Sequence, residues 1–228
     1  MEKIYGGDRV IKLNSFLNMD CMDGMKEFPD KYFELAIVDP PYGIDFGNYN
    51  RTNKDIHGNR YKADKYHNAD WDKGTPTDEY FKELMRVSKN QIIWGGNYFN
   101  LPPTQGFIFW YKRNPVDNFS DGEFAWTSFK KPAKCYDYMY FGNINAEPDR
   151  IHPTQKPVKL YEWILTNYAK QGDKILDTHV GSASSLIACH NLGFDYVGFE
   201  LDTDYYNMAN DRLERVKSQT TIFDFIGR

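Results

Sequence analysis

The chain alternates short apolar segments with helical ones, and this alternation limits the possible folds more than any other feature. Seven apolar runs are typical of strands, at residues 9–16, 35–38, 91–94, 106–111, 135–141, 174–177 and 196–200. Three segments with apolar residues at helical spacing occur at residues 75–89, 158–168 and 203–216. Such alternation predicts βαβ units and a mostly parallel sheet with helices on both faces. We therefore expect an α/β fold built on one seven-stranded sheet.

The composition is that of an ordinary soluble globular protein. The 228 residues can bury the core of one large domain, which we expect to span residues 1–228. Hydrophobic residues make up 41% and charged residues 26%, with neither a signal peptide nor a transmembrane run, so we expect no membrane association. The cysteines at positions 21, 135 and 189 lie far apart and lack metal-ligand spacing. A cytoplasmic location without a metal site follows from that pattern.

Three of the predicted strands end in an acid, which suggests a polar site at one edge of the sheet. The acids are Asp39, Asp177 and Glu200, and ligands of parallel α/β sheets bind beyond the carboxyl ends of the strands. Between the last two acids lies a turn of small residues at 181–184, which lets the backbone approach a ligand closely. The second acid can accept hydrogen bonds from two ribose hydroxyls. A nucleotide site and a plain βαβ unit with a tight turn explain this unit equally well.

The stretch Asp39-Pro40-Pro41-Tyr42-Gly43 after a buried strand points to chemistry on an amino group. The two prolines fix the backbone and would hold the Asp39 carboxylate and the Pro40 carbonyl as two acceptors at a set separation. Two acceptors that bind both hydrogens of a planar amino group favour a pyramidal nitrogen and free its lone pair. Tyr42 would stack on the attached ring, and Gly43 would leave room. This is catalysis by orientation and electrostatic stabilisation.

These motifs resemble those of DNA methyltransferases that use S-adenosylmethionine to methylate the N6 amino group of adenine or the N4 amino group of cytosine. Residues 39–42 (DPPY) match the catalytic motif of that family, and residues 152–157 (HPTQKP) match the segment before its cofactor strand. Residues 177–185 (DTHVGSASS) resemble its cofactor loop. Because the catalytic motif comes first, the order resembles the permuted β class. The resemblance implies a Rossmann-like methyltransferase domain with circularly permuted motifs.

The same resemblance implies a set of cofactor-binding residues. Asp20 would face the adenine of S-adenosylmethionine, and Glu200 its ribose. The full set is Asp20, Cys21, Thr154, Gln155, Lys156, Asp177, Gly181, Ser182, Ser184, Glu200 and Leu201. Two residues depart from the family pattern: His179 stands where phenylalanine is usual, and Ala183 where the second glycine is usual.

Double-stranded DNA is the partner that the resemblance implies, with the target base flipped out of the duplex to reach Asp39. The polar residues 44–73 would form a lid over that base, although a solvated insertion explains the same composition. Residues 113–150 leave room for only a small target-recognition insert. The predicted phosphate contacts are Arg51, Lys54, Arg60 and Lys62, and by the resemblance Lys112 would bind DNA beside the target base.

Three alternatives stay open beside an adenine N6 methyltransferase. Asp39, rather than serine, at the head of the motif favours adenine, and the other acceptor is the N4 group of cytosine. A nucleotide-dependent oxidoreductase would need the G-x-G-x-x-G fingerprint, which is absent because Ala183 occupies the second glycine position. A binding module of the same fold without activity is the third. The sequence leaves a homodimer open.

Overall fold

The fold is described for residues 11–44, 72–113, 120–140, 145, 150–152 and 154–226 of a computed structural model, with side chains as far as residue 219. The strands are β1 (Ser15–Asn18), β2 (Phe33–Val38), β3 (Ser88–Trp94), β4 (Phe107–Tyr111), β5 (Gly122–Thr127), β6 (Lys134–Asp137), β7 (Lys174–Asp177) and β8 (Asp195–Glu200). The helices are α1 (Cys21–Lys26), α2 (Asp78–Val87), α3 (Val158–Tyr168), α4 (Ser184–Leu192) and α5 (Thr203–Ile226). A 3₁₀ turn spans Gly96–Tyr98. Within this part of the chain no helix is long and apolar enough to cross a membrane.

All the strands join one sheet in the order β1-β8-β7-β2-β3-β5-β4-β6. The pairings are parallel except that β5 runs antiparallel to both of its neighbours, β3 and β4. The mostly parallel α/β sheet predicted from the sequence is therefore confirmed. Strands β2 and β7 are neighbours although they lie far apart in sequence, which brings the Asp39 loop beside the turn at residues 181–184.

The predicted count of seven strands is wrong by one, because the described residues form eight. The strand that sequence reasoning missed is β5, which follows β4 in an antiparallel hairpin instead of a βαβ crossover. It begins with a glycine and a glutamate, so its first residues lack the apolar pattern of a buried strand. The first strand also begins later than predicted, at Ser15, because Asn14 adopts a left-handed backbone with φ of 62° and interrupts the extended run.

Both faces of the central strands are buried, as the alternation of side chains along β2 illustrates. Leu35 and Ile37 belong to one hydrophobic cluster, together with residues of α3, α4 and α5. Ala36 and Val38 point to the opposite face and pack in a second cluster with residues of α1 and α2. A parallel strand buried on both faces needs a continuous apolar sequence, which explains the composition of β2.

The acids of the predicted site stand at the ends of strands, and one edge of the sheet collects most of them. The carboxyl ends of β2, β7 and β8 carry Asp39, Asp177 and Glu200 at this edge. Because β5 runs the opposite way, it begins there, with Glu123 as its second residue. Lys112 follows the carboxyl end of β4 at the same edge.

Candidate active site

The Asp39 carboxylate lies directly beyond β2, and side chains occupy both of its oxygens. The Tyr42 hydroxyl donates to Oδ1 at 2.7 Å, and the Lys156 ammonium contacts Oδ2. Each carboxylate oxygen has two lone pairs, so both retain the capacity to accept a further hydrogen bond. About a fifth of the Asp39 side chain (19%) is exposed, which leaves this capacity open to a ligand.

A buried carboxylate, Asp72, fixes the backbone of the same loop from behind. Its Oδ1 accepts hydrogen bonds from the backbone N–H groups of Tyr42 and Gly43, both at 2.8 Å. Gly43 has a φ of 70°, a left-handed conformation that glycine adopts at little cost. Asp72 fell within the predicted lid, where one acid among many polar residues gives no signal of this role.

The Tyr42 ring lies in an aromatic and glycine-lined slot. Tyr98, from the 3₁₀ turn after β3, stacks on it with ring centroids 4.9 Å apart and planes 13° from parallel. A Cβ atom at Gly95 would lie only 2.2 Å from the Tyr42 ring, and Gly95 has a φ of 67°, so this position requires glycine. Burial and the Asp39 carboxylate both raise the pKa of Tyr42, which keeps its hydroxyl protonated as a donor.

Lys156 connects Asp39 to a second carboxylate, Glu123. Its side chain is only 3% exposed, and its Nζ lies 3.1 Å from Glu123 Oε2 and 5.2 Å from the centroid of the Trp94 ring. Glu123 also contacts the Lys112 ammonium through Oε1. Burial by itself would raise the pKa of Glu123, but the two ammonium groups lower it to about 2. The carboxylates of Asp39 and Glu123 raise the pKa of Lys156 against the opposing effect of its burial.

Backbone amides hold the two acids of the predicted cofactor side. Glu200 Oε2 accepts from the N–H of Gly181 at 2.8 Å, and Oε1 accepts from the N–H of Asp202 at 3.0 Å. Asp177 Oδ1 accepts from the N–H of His179 at 3.0 Å, while Ser185 donates to Oδ2. Burial raises the pKa of Asp177 to about 7, with further contributions from the carboxylates of Asp39 and Glu200.

The turn before α4 is held by a buried arginine. Nη1 of Arg212, on α5, donates to the carbonyl of Ser182 at 2.5 Å and to the hydroxyl of Ser184 at 3.1 Å. Ala183 has a φ of 62°, so alanine adopts here the left-handed conformation that the family's usual glycine accommodates without strain. The backbone at Ala183 is therefore one that glycine would adopt at lower cost.

The remaining predicted residues line the same edge. Asp20 caps α1 by accepting from the N–H of Met22 at 2.8 Å. Cys21 follows it, and burial raises the pKa of its thiol to about 12. Thr154 contacts Nδ1 of His152 at 3.1 Å, Gln155 is buried and accepts from the N–H of Ile151, and Leu201 is 69% exposed beyond β8.

Two further predicted residues make ion pairs within the site. The resemblance implies that Lys156 lies near the cofactor, and its ammonium contacts Asp39. Lys112, predicted to bind DNA beside the target base, contacts Glu123. The predicted phosphate contacts, Arg51, Lys54, Arg60 and Lys62, lie outside the described residues.

Comparisons with known proteins identify the family of this chain. A family model described as DNA methylase, N6_N4_Mtase, matches residues 78–211, more than half of the chain. The chain belongs to this DNA methylase family. The family's name joins N6 and N4, the exocyclic amino groups of adenine and cytosine. The DPPY motif lies before the matched range, which includes Glu123, Asp177 and Glu200.

Two curated relatives of this DNA methylase align along most of the chain. Type II methyltransferase M.HinfI of Haemophilus influenzae is 26% identical over 258 residues, which cover 90% of this chain and 69% of the relative. Type II methyltransferase M2.DpnII of Streptococcus pneumoniae is 25% identical over 256 residues, with 92% and 91% covered. Among solved structures, the M1.HpyAVI–SAM complex superposes with a TM-score of 0.55 at 20% identity, over 87% of this chain and 98% of that one. This structural likeness shows the shared fold.

Proposed function

We propose that this DNA methylase transfers a methyl group from S-adenosylmethionine to the N6 amino group of an adenine flipped out of double-stranded DNA. The observation that carries the proposal is the Asp39 loop. A carboxylate with spare acceptor capacity and a stacking ring lie at one sheet edge, beside the strand ends that carry Asp177 and Glu200. Asp39 at the head of the motif supports adenine over cytosine by resemblance.

The residues on the cofactor side fit S-adenosylmethionine. Each Glu200 oxygen already accepts one backbone N–H, which fixes the carboxylate and leaves a second lone pair on each oxygen for the two ribose hydroxyls. Gly181, with a φ of 56°, presents backbone without a side chain to the methionine part. Asp177, Ser182 and Ser184 would surround that part, and Asp20 would face the adenine. When bound, S-adenosylmethionine supplies an electrophilic methyl group on a sulfonium.

On the acceptor side, the protein's own groups would orient and polarise the amino nitrogen. The Asp39 carboxylate and the Pro40 carbonyl accept its two hydrogens, which makes the lone pair available for attack on the methyl carbon. As the nitrogen gains positive charge, the carboxylate stabilises it. Tyr42 holds the plane of the base by stacking. As the new nitrogen–carbon bond forms, the methyl–sulfur bond would break and its electron pair would stay on the sulfur of a neutral thioether. The cationic nitrogen would then give one proton to the Asp39 carboxylate, which passes it to solvent and leaves a neutral methylated amine.

The test is methyl transfer from labelled S-adenosylmethionine to duplex DNA, with the product nucleosides identified by mass spectrometry. We expect N6-methyladenine from the wild type. Asp39→Ala should slow transfer by roughly a hundredfold or more, while the dissociation constant of S-adenosylmethionine stays within about twofold. The matched control is Asp173→Ala, in the turn before β7 at the opposite edge of the sheet, which should transfer at the wild-type rate.

Each other outcome points to a different function. N4-methylcytosine as the product would replace adenine by cytosine as the acceptor. Tight cofactor binding without transfer to any DNA would identify an inactive binding module. Equal rates for Asp39→Ala and the wild type would remove Asp39 from the chemistry.

A further inference from the structure

Four charged side chains of alternating sign follow one another along the site edge of the sheet: Asp39, Lys156, Glu123 and Lys112. The Asp39–Lys156, Lys156–Glu123 and Glu123–Lys112 pairs are all in ion-pair contact. They come from the end of β2, the segment before α3, the start of β5 and the end of β4. Only Lys156 is almost completely buried, so the field at Asp39 depends mainly on what neutralises this lysine.

The sign of that field matters for methyl transfer. Positive charge develops on the amino nitrogen, and a negative site stabilises it. Asp39 and Lys156 alone form a neutral pair, which would offer the nitrogen little electrostatic help. With Glu123 added, the three groups carry a net charge of −1. Lys112 brings the sum of the four charges to zero, but it is the outermost member of the row and its ion pair is with Glu123. Its charge therefore acts on Asp39 from farther away than the charges of Lys156 and Glu123 do.

Glu123 also limits how strongly the Lys156 ammonium binds the Asp39 carboxylate, because it offers the same ammonium a second carboxylate. The Lys156 ammonium lies between the two carboxylates and over the Trp94 ring. Without Glu123, the buried ammonium would keep Asp39 as its only carboxylate partner among these groups. It would then compete with the substrate amino group for the same oxygens.

We propose that Glu123 is a positioning residue for methyl transfer, which acts through Lys156 to keep the Asp39 carboxylate oriented and net negative toward the base. The inference rests on the proposed function. It adds a residue whose charge tunes the site without contact with the base or the cofactor. Its register supports the role, because Glu123 pairs with Trp110 of β4, and β5 is also held by β3 from Ala125 onward.

The first experiment is the Glu123→Gln variant, which preserves shape and removes charge. We expect kcat for DNA methylation to fall roughly tenfold to a hundredfold, with the dissociation constant of S-adenosylmethionine and the KM for DNA within about twofold. Glu123→Asp keeps the charge and should recover part of the loss. The matched control is Glu83→Gln, which makes the same change in a partly buried ion pair with Arg86 on α2 and should leave kcat unchanged.

A second experiment tests whether the effect passes through Lys156. In a Lys156→Met background, Glu123→Gln should cause little further loss of kcat, because the charge that it offsets is gone. An equal further loss, an unchanged kcat in the single variant, or a loss of cofactor binding together with kcat would overturn the proposal. The wild type tests the proposed function separately. If it methylates no DNA, the proposed function is wrong, whatever the Glu123 variants do.

Discussion

Two carboxylates of the site, Asp39 and Glu200, are held in different ways. Asp39 is held by side chains, the hydroxyl of Tyr42 and the ammonium of Lys156. Glu200 is held by the backbone amides of Gly181 and Asp202. Backbone partners are fixed by the fold of the turn, and only a substitution by proline removes the N–H group. Side-chain partners can rotate, exchange partners and be replaced.

This difference suits the two tasks. A cofactor that binds the same way in each cycle is served by a rigid backbone frame. A base that enters from a duplex needs space and hydrogen-bond acceptors, and side chains can provide both by changing their conformation. We therefore expect substitutions on the cofactor side to change affinity, and substitutions around Asp39 to change the rate or the entry of the base.

The largest effect on the backbone-held side is expected for Glu200→Gln. The amide keeps the shape of the side chain but lacks the charge that strengthens hydrogen bonds to the ribose hydroxyls. We expect affinity for S-adenosylmethionine, measured by calorimetry, to fall roughly tenfold to a hundredfold. The methylation rate at saturating cofactor should change little.

Glu214→Gln provides the control for that variant, since Glu214 lies on the exposed side of α5 in an ion pair with Lys217. Its cofactor affinity should match that of the wild type. A large loss of rate at saturating cofactor in Glu200→Gln would contradict the expectation that substitutions on the cofactor side change affinity and leave the rate unchanged.

The same difference explains what could be read from the sequence. Asp177 and Glu200 belong to a local strand–turn–helix–strand unit whose partners lie close in sequence, so their placement at one edge could be predicted. The contact between Lys156 and Asp39 spans 117 residues, and nothing in either motif indicates it. Glu123 was missed together with β5, since a hairpin strand that starts with glycine and glutamate resembles a loop.

The position of Tyr98 could be predicted from the sequence only in part. It follows the turn at Gly95 and Gly96, which the sequence places at the end of a buried strand, so an aromatic ring near the site could have been anticipated. Its stacking on Tyr42 depends on the 3₁₀ turn after β3 and could not. The α/β fold was predictable because apolar periodicity is local, whereas the side-chain network depends on tertiary placement.

The pH dependence of stability tests the protonation state of Asp177, the second acid on the cofactor side. Burial raises the pKa of Asp177 to about 7, so the native protein binds a proton that the unfolded chain has already released. Stability contributed by this group is therefore lost as pH rises toward 7. Relative to Asp177→Asn, the wild type should lose about 2 kcal/mol of unfolding free energy between about pH 5 and pH 7.

Urea denaturation of both proteins across that interval measures the difference. The comparison with Asp177→Asn removes the opposite slope that buried His152 and His179 contribute, because burial lowers their pKa values to about 3 and about 4. Parallel stability curves for the two proteins would show that Asp177 is already ionised at pH 5.

The smallest effect is expected for Tyr98→Ala. This variant tests the half of the site around Asp39, where side chains hold the carboxylate. The Tyr98 ring covers Tyr42 at a centroid distance of 4.9 Å, which leaves no space for a base between them. Because 46% of the Tyr98 surface is exposed, we expect the ring to rotate away when the base enters. It would then stack on the face of the base that points away from Tyr42. Loss of that stack should raise the KM for DNA roughly fivefold to tenfold with a smaller change in kcat. Phe107→Ala, an exposed ring at the far end of β4, should leave KM unchanged. A lower KM in Tyr98→Ala would mean instead that Tyr98 blocks the site, and that entry of the base is limited by its displacement.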